Sequence, residues 1–206
     1  MNLNQGRQYS HDYDNKKRLA AYWHQVDECR ALGGKSVLVV GKGSGLQTVM
    51  LQRQGFEVVT LDIRTELRPA VTGDVRCLPF LDCVFDIAVC CQVLEHLRRE
   101  FLMPSLRELR RVTRRGVVLS LPDRGRCSTL IPHLFGRREV LSLPSFWLKA
   151  ASSNPEHLWE INIPGNQLHN IQHEIDIAGF TTEQTFRVWE IPYHRFWRLT
   201  TNSRQK

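Results

Sequence analysis

The sequence lacks most of the short signatures that would settle its chemistry at once. None of its six cysteines falls in a Cys-x-x-Cys pair, so neither a zinc ribbon nor a thioredoxin-type redox motif is present. There is no His-Glu-x-x-His run, which removes the usual metallopeptidase helix. No uninterrupted apolar stretch reaches the roughly 18 residues that cross a bilayer. The opening, MNLNQGRQYSHDYDNKK, is polar and has no apolar centre of the kind a secretory signal carries. These absences lead to the expectation of a cytoplasmic protein with reduced thiols. Internal repeats are absent too, and nothing marks a second domain, so one domain is expected over residues 1–206.

What is present is ordinary in amount and informative in arrangement. Apolar residues make up 42% and charged residues 24% of the 206, enough for one well-sized core. The net charge of +7 permits nucleic acid, an anionic membrane or an acidic substrate and selects none of them. Much of it sits in Arg107, Arg110, Arg111, Arg114 and Arg115, whose spacing is helical. Either a solvated helix face or a basic patch would read this way. Aromatic residues are not interleaved with these arginines as a base-stacking platform requires.

Along the chain, helices and short apolar strands alternate. Residues 14–32 have helical spacing and stop at Gly33-Gly34. Strands are expected at 37–40, 56–61, 71–74, 85–91 and 116–121, with helices at 45–54 and 101–113 between them. Such alternation implies βαβ units with right-handed crossovers. From Pro122 to Pro164 the rhythm breaks into a proline-punctuated, aromatic segment, expected as a lid-like insertion. A helix at 167–178 follows, then two strands, 181–190 and 193–200, close enough to pair across Ile191-Pro192. The expected fold is α/β: a Rossmann-like, doubly wound seven-stranded sheet, mostly parallel, with an antiparallel C-terminal hairpin and helices on both faces.

The chemistry concentrates at SVLVVGKGSGLQTVM, residues 36–50. Gly41, Gly43 and Gly45 lie where a buried strand becomes a helix. The P-loop spacing is not met, and the third glycine comes one residue too early for the dinucleotide fingerprint. A phosphate loop, a dinucleotide loop, another nucleotide-like cofactor and a plain tight turn all start from such a stretch. Asp62 ends the second strand, 17 residues after Gly45, where a carboxylate can accept from both ribose hydroxyls. Asp74 and Val75 follow the third strand in GDVRCLPF, and CCQVLEHL places polar groups after the fourth.

Taken in order, VLVVGKGSG, VVTLDIR, GDVRCLPFLDCVFDIAVCCQVLEHL, LRELRRVTRRGVVLSLP and EHLWEI resemble the class I S-adenosylmethionine-dependent methyltransferases, over about residues 13 to 200. A small bacterial methyltransferase-domain branch, with openings like DYDNKKRLAAYW and endings like PYHRFW, is the nearest likeness. The resemblance implies S-adenosylmethionine as cofactor. It places Gly41, Lys42, Gly43 and Gly45 against the methionine and ribose part, Asp62 with Ile63 at the ribose, Asp74 with Val75 at the adenine edge, and Gln92 near the methionine part. Tyr13, with Tyr9, would fold over from the N-terminal segment, residues 1–34, and Trp23 would join them or pack in the core. Lys42 departs from the pattern and adds a cation whose side chain is expected in solvent.

Methyl transfer from a sulfonium is an in-line displacement with an activated leaving group, so alignment matters most. A base is needed only for a protonated acceptor. His96, His157, Glu160 and His194 are the candidates; Glu95 and His96 would face the substrate or cap a helix. No metal is expected, because His169 and His173, four apart on a helix, lack supporting ligands. The acceptor is not written in the sequence. With no Asn-Pro-Pro-Tyr-like motif after the fourth strand, a small molecule ranks above protein and protein above nucleic acid. Phe135, Phe146, Trp147 and Trp159 would line its pocket or pack in an ordinary core, and Arg137, Arg138 and Lys149 would allow transient membrane-surface contact. A non-catalytic cofactor-binding protein and an NAD(P)-dependent oxidoreductase are the alternatives.

Overall fold

The fold is described from a computed structural model, over residues 13–125, 127–130, 133–134, 137–138, 141–144 and 154–201. The elements run α1 (Lys16–Leu32), β1 (Ser36–Val40), α2 (Leu46–Arg53), β2 (Glu57–Asp62), β3 (Val71–Thr72), β4 (Phe85–Cys91), α3 (Leu102–Val112), β5 (Thr113–Pro122), β6 (Cys127–Leu130), β7 (His133–Leu134), β8 (Arg137–Arg138), β9 (Leu141–Pro144), α4 (Leu168–Ile177), β10 (Phe180–Val188) and β11 (Ile191–Thr201). Seven strands form one sheet in the order β10-β11-β5-β4-β1-β2-β3. β1 pairs in parallel with β2 and β4, as β2 does with β3 and β4 with β5. β11 runs antiparallel to both β5 and β10. The expected class holds.

The central strands are apolar on both faces because both faces are covered. Val37 and Val39 of β1, with Ile87 and Val89 of β4, pack on Val26 and Cys29 of α1 and Leu51 of α2. The alternate residues Leu38, Val40, Ala88 and Cys90 pack on Leu106 and Leu109 of α3 and Ile171 and Ile175 of α4. The strand period of 2 thus divides one sequence into two cores. α1 starts at Asn15, whose Oδ1 accepts from Lys17 N at 3.1 Å and Arg18 N at 3.2 Å, and stops at Gly33 with φ 70°. Gly116 is required inside β5: a Cβ there would lie 2.0 Å from the Leu199 carbonyl oxygen of β11.

Several expected boundaries moved. The third strand is only Val71–Thr72, and Asp74 makes an isolated bridge with Cys77. No helix links β3 to β4; instead Arg111 of α3 fastens that connection, donating to Leu78 O at 2.9 Å and Phe80 O at 2.7 Å. Arg111 also pairs with Glu108 and Asp82, and Arg114 with Asp86. Arg111 and Arg114 of the arginine run therefore fasten neighbouring segments, while Arg107 is exposed. The C-terminal hairpin turns at Trp189-Glu190, between partners Val188 and Ile191, not at Ile191-Pro192. Pro192 falls instead at a bulge where β10 slips register after Arg187, a place where no ladder N–H is needed.

Nor is the 122–164 insertion irregular throughout. β6 pairs antiparallel with β9, and β7 with β8, in one continuous register. Its two ends are clamped to the sheet by a buried Asp123. Oδ1 accepts from Gly125 N and Asn162 Nδ2, both at 2.7 Å. Oδ2 pairs with Arg195 at 2.6 Å and with Arg187. Tyr9, Phe135, Phe146, Trp147 and Lys149, and the side chains of Arg137 and Arg138, lie outside the described residues. Trp159 is in the main core, 3% exposed, with Nε1 donating to Leu97 O at 3.0 Å, so it lines no acceptor pocket.

Candidate functional site

The strand order reverses between β1 and β4: the chain lays β2 and β3 to one side and β4 and β5 to the other. In an open parallel sheet, a crevice forms at the carboxyl ends of the strands at such a switch point. Here it is a cavity of about 350 Å³, within the usual ligand range. Gly41, Lys42 and Gly43 line it from the β1–α2 loop, Asp62 from the end of β2 with Ile63 just after it, and Gln92 from just after β4.

The glycine loop is held open by its backbone. Gly41, Gly43 and Gly45 have φ of 81°, 56° and 86°, values that glycine adopts without penalty. At Gly41 a side chain is excluded outright, because its Cβ would sit 2.5 Å from Val93 Cγ2. Gly45 is the N-cap of α2 and does not line the cavity; it turns the chain into the helix. Asp62 is 6% exposed. One carboxylate oxygen accepts from Lys42 N at 2.8 Å and the other from Arg64 N at 3.0 Å. An ionised carboxylate offers about four acceptor positions, so each oxygen keeps capacity for a ligand hydroxyl. That is the donor-matching set two ribose hydroxyls require.

Lys42 is explained by its far end. Nζ donates to Leu67 O and Arg68 O, both at 2.7 Å. These carbonyls end the 3-10 turn at Thr65–Leu67 that follows β2. The lysine therefore straps the glycine loop to the segment after Asp62, instead of extending into solvent. Ile63, 63% exposed, offers an apolar surface beside Asp62.

From the N-terminal side, Tyr13, Arg18, Tyr22 and Gln25 complete the wall. Arg18 donates to Tyr13 Oη at 2.9 Å and lies over its ring at 3.9 Å. Asp14 ties this segment to the loop, accepting from Ser44 Oγ at 3.0 Å and Tyr22 Oη at 3.2 Å. Trp23 is 46% exposed and belongs neither to the core nor to the cavity. Gln92 has φ 56°, and its Nε2 donates to Ser120 Oγ at 3.2 Å. Backbone strain at the mouth of a site is common where the protein holds a fixed geometry.

Two expected contacts are not brought to the cavity. Asp74 is engaged by Arg76, with Nε 3.0 Å from Oδ1 and 2.9 Å from Oδ2; this guanidinium holds its carboxyl below the ordinary range. Val75 is buried in the main core.

The base candidates split in two. His96 and His194 line the cavity. Burial, reinforced by Arg18, pushes His194 down to about 3, so it stays neutral near pH 7 and is a weak base. Partial desolvation also lowers His96, whose Nδ1 lies 3.1 Å from Glu156 O. Behind them, His157 Nδ1 is 2.9 Å from Glu160 Oε1. Tyr193 Oη donates to the same oxygen, and Arg124 is 3.6 Å from the other. Glu95 is fully buried, neither of its oxygens has a hydrogen-bond partner among the described residues, and desolvation pushes it up to about 8. His169 and His173 are exposed on α4.

Residues 38–121 match the methyltransferase domain family. This part of the chain is a methyltransferase domain. Around that domain the fold is the class I fold, and the cofactor of the class is S-adenosylmethionine. Among solved structures, an S-adenosylmethionine-dependent methyltransferase from Mesorhizobium loti is 16% identical, with TM-score 0.59, covering 91% of this chain and 99% of that one. A 1,6-didemethyltoxoflavin-N1-methyltransferase from Burkholderia thailandensis, solved with 1,6-didemethyltoxoflavin and S-adenosylhomocysteine, is 17% identical with TM-score 0.60, covering 95% and 84%. Magnesium protoporphyrin IX methyltransferase from Synechocystis PCC 6803, solved with S-adenosylhomocysteine, is 17% identical with TM-score 0.58, covering 90% and 85%. A search of curated protein sequences gave no match. Among the described residues, no helix is long and apolar enough to cross a membrane.

Proposed function

We propose that the methyltransferase domain uses the switch-point cavity to transfer a methyl group from S-adenosylmethionine to a small-molecule acceptor. The observation that carries this reading is Asp62, buried at the carboxyl end of β2, bonded to the glycine loop and lining the same cavity. Gly41 and Gly43 leave room for the methionine and ribose part. Asp62 accepts the ribose hydroxyls, Ile63 supports the base, and Gln92 and Tyr13 close around the methionine end. The bound cofactor supplies a methyl group on a sulfonium, with a neutral thioether as the leaving group. The chain aligns the acceptor, excludes water and keeps a neutral His194 at the wall. That contribution is one of proximity and orientation.

Three features favour a small acceptor. The cavity is of small-ligand size. Arg110, Arg111, Arg114 and Arg115 of α3 and β5 are engaged with carboxylates and carbonyls rather than presented as a nucleic-acid track. The toxoflavin and protoporphyrin enzymes of like fold act on small molecules. A cytosolic setting fits the exposed unpaired thiols of Cys77 and Cys83. The test is methyl-labelled cofactor incubated with fractionated cell extract. Label recovered in the small-molecule fraction supports the reading; label in protein or nucleic acid overturns the acceptor assignment.

A further inference from the structure

One cluster takes no part in holding the methyl donor. Glu95, His96 and His157 bring three ligand-type atoms within 4.8 Å of one another, although 61 residues separate His96 from His157 in sequence. Glu95 reaches the cluster from the 3-10 turn after β4, and Leu158 N donates to Glu95 O at 2.9 Å, which brings the two segments together.

Both imidazoles are set up in the same sense. His157 Nδ1 faces Glu160 Oε1 at 2.9 Å, and His96 Nδ1 faces the Glu156 carbonyl at 3.1 Å. An N–H on each Nδ1 satisfies those oxygens and leaves each Nε2 as an acceptor, that of His157 facing Asn154 Nδ2. This is the arrangement in which a carboxylate or carbonyl fixes a histidine's tautomer for metal binding. Tyr193 Oη, donating to Glu160 Oε1, holds that carboxylate in turn. Glu95 supplies the third donor. Its side chain is fully buried and both oxygens lack hydrogen-bond partners among the described residues. A buried unpartnered carboxyl is costly and calls for a compensating group. His157 Nε2 lies 4.0 Å from Glu95 Oε1; two ligands on one tetrahedral zinc stand about 3.3 Å apart. Closing the whole group, whose atoms lie within 4.8 Å of one another, onto one ion takes a contraction of up to roughly 1.5 Å. Asn154 Nδ2, 3.2 Å from His157 Nε2, is the group an ion would displace.

We propose that Glu95, His96 and His157 form a binding site for one divalent transition-metal cation of the zinc class, at the rim of the methyl-donor cavity. Two imidazoles and a carboxylate suit such an ion and leave a coordination position open. His96 belongs to both the cluster and the cavity wall, so the ion would sit beside the acceptor.

The experiment uses the full chain, stripped with chelator and titrated with zinc chloride against a chromophoric competitor, without S-adenosylmethionine. Cobalt substitution provides a second readout through its visible absorption. The expected result is one ion per chain. His96→Ala, at an exposed position, should weaken it by at least about 100-fold, since even outer partners of metal ligands are worth roughly 10–100-fold. Glu95→Gln should do the same. If Glu95→Gln fails to fold, His96→Ala still decides. The proposal is overturned if the chain binds no zinc, or if binding persists in His96→Ala and is lost in the His169→Ala/His173→Ala variant. Either outcome leaves the methyl-donor reading intact.

Discussion

At the scale of single residues, Asp62 and Lys42 carry different loads. Asp62 binds the loop backbone and is the acceptor for the ribose in the proposed complex. Hydrogen bonds to a charged group are worth about 1.5–3 kcal/mol each, so Asp62→Ala should weaken S-adenosylhomocysteine binding by roughly 100-fold or more, read by calorimetry. Lys42→Met should instead lower the thermal midpoint and change affinity by less than about tenfold, because its ammonium strap ends on Leu67 and Arg68 rather than in the cavity. His194 gives a pH signature. Its proton affinity is depressed in the folded state, to about 3, so the unfolded chain takes up the proton first. The contribution of His194 to stability is fully present above about pH 6.5 and is lost progressively as the pH drops towards 3. Unfolding curves at pH 7 and pH 5 should show it as a difference: on going to pH 5 the protein should lose stability relative to His194→Phe, since Glu95 contributes equally to both. Glycine spacing and Asp62 were legible because strand, turn and helix are contiguous in sequence. Lys42 was not: its partners lie 25 and 26 residues on and are carbonyls, which no side-chain pattern records. Asp74 was legible as a motif residue, but Arg76, two positions later, takes its carboxylate.

At the scale of elements, the alternation of apolar runs exposed β1, β4 and β5 because they are buried on both faces. The connection from β3 to β4 stayed opaque, since it is held by an arginine from α3 rather than by its own periodicity. The insertion read as irregular because its prolines mask the pairing of β6 with β9. Its clamp was invisible for a plainer reason: Asp123 meets Asn162, Arg187 and Arg195 across 39, 64 and 72 residues. That clamp should be energetically large. Removing one partner of a buried ion pair leaves uncompensated charge, at a cost of about 3–5 kcal/mol. Asp123→Ala should show this in denaturant unfolding, whereas Asp82→Ala, which leaves Arg111 paired with Glu108, should cost under about 1 kcal/mol. Gly116→Ala should separate β11 from β5, because its methyl carbon would overlap the Leu199 carbonyl. A loss above about 4 kcal/mol, or failure to fold, is expected; a stability equal to the parent's would show that the two strands can shift apart freely.

At the scale of the molecule, one reversal of strand order creates both the cavity and its contents. The same edge of the sheet receives the loop after β1, the carboxylate ending β2 and the turn after β4. Class and cofactor were therefore readable from five ordered segments, while no such segment names the acceptor. The net charge of +7 likewise says little about partners once the arginines are seen to fasten connections. The central claim is that the switch-point cavity holds the methyl donor through Asp62. Calorimetric titration of the folded chain with S-adenosylhomocysteine tests it most directly, with Asp62→Ala alongside. The account predicts one site per chain, weakened by roughly 100-fold or more in the variant. No heat of binding from a well-folded sample, or equal affinity in the two proteins, would contradict it.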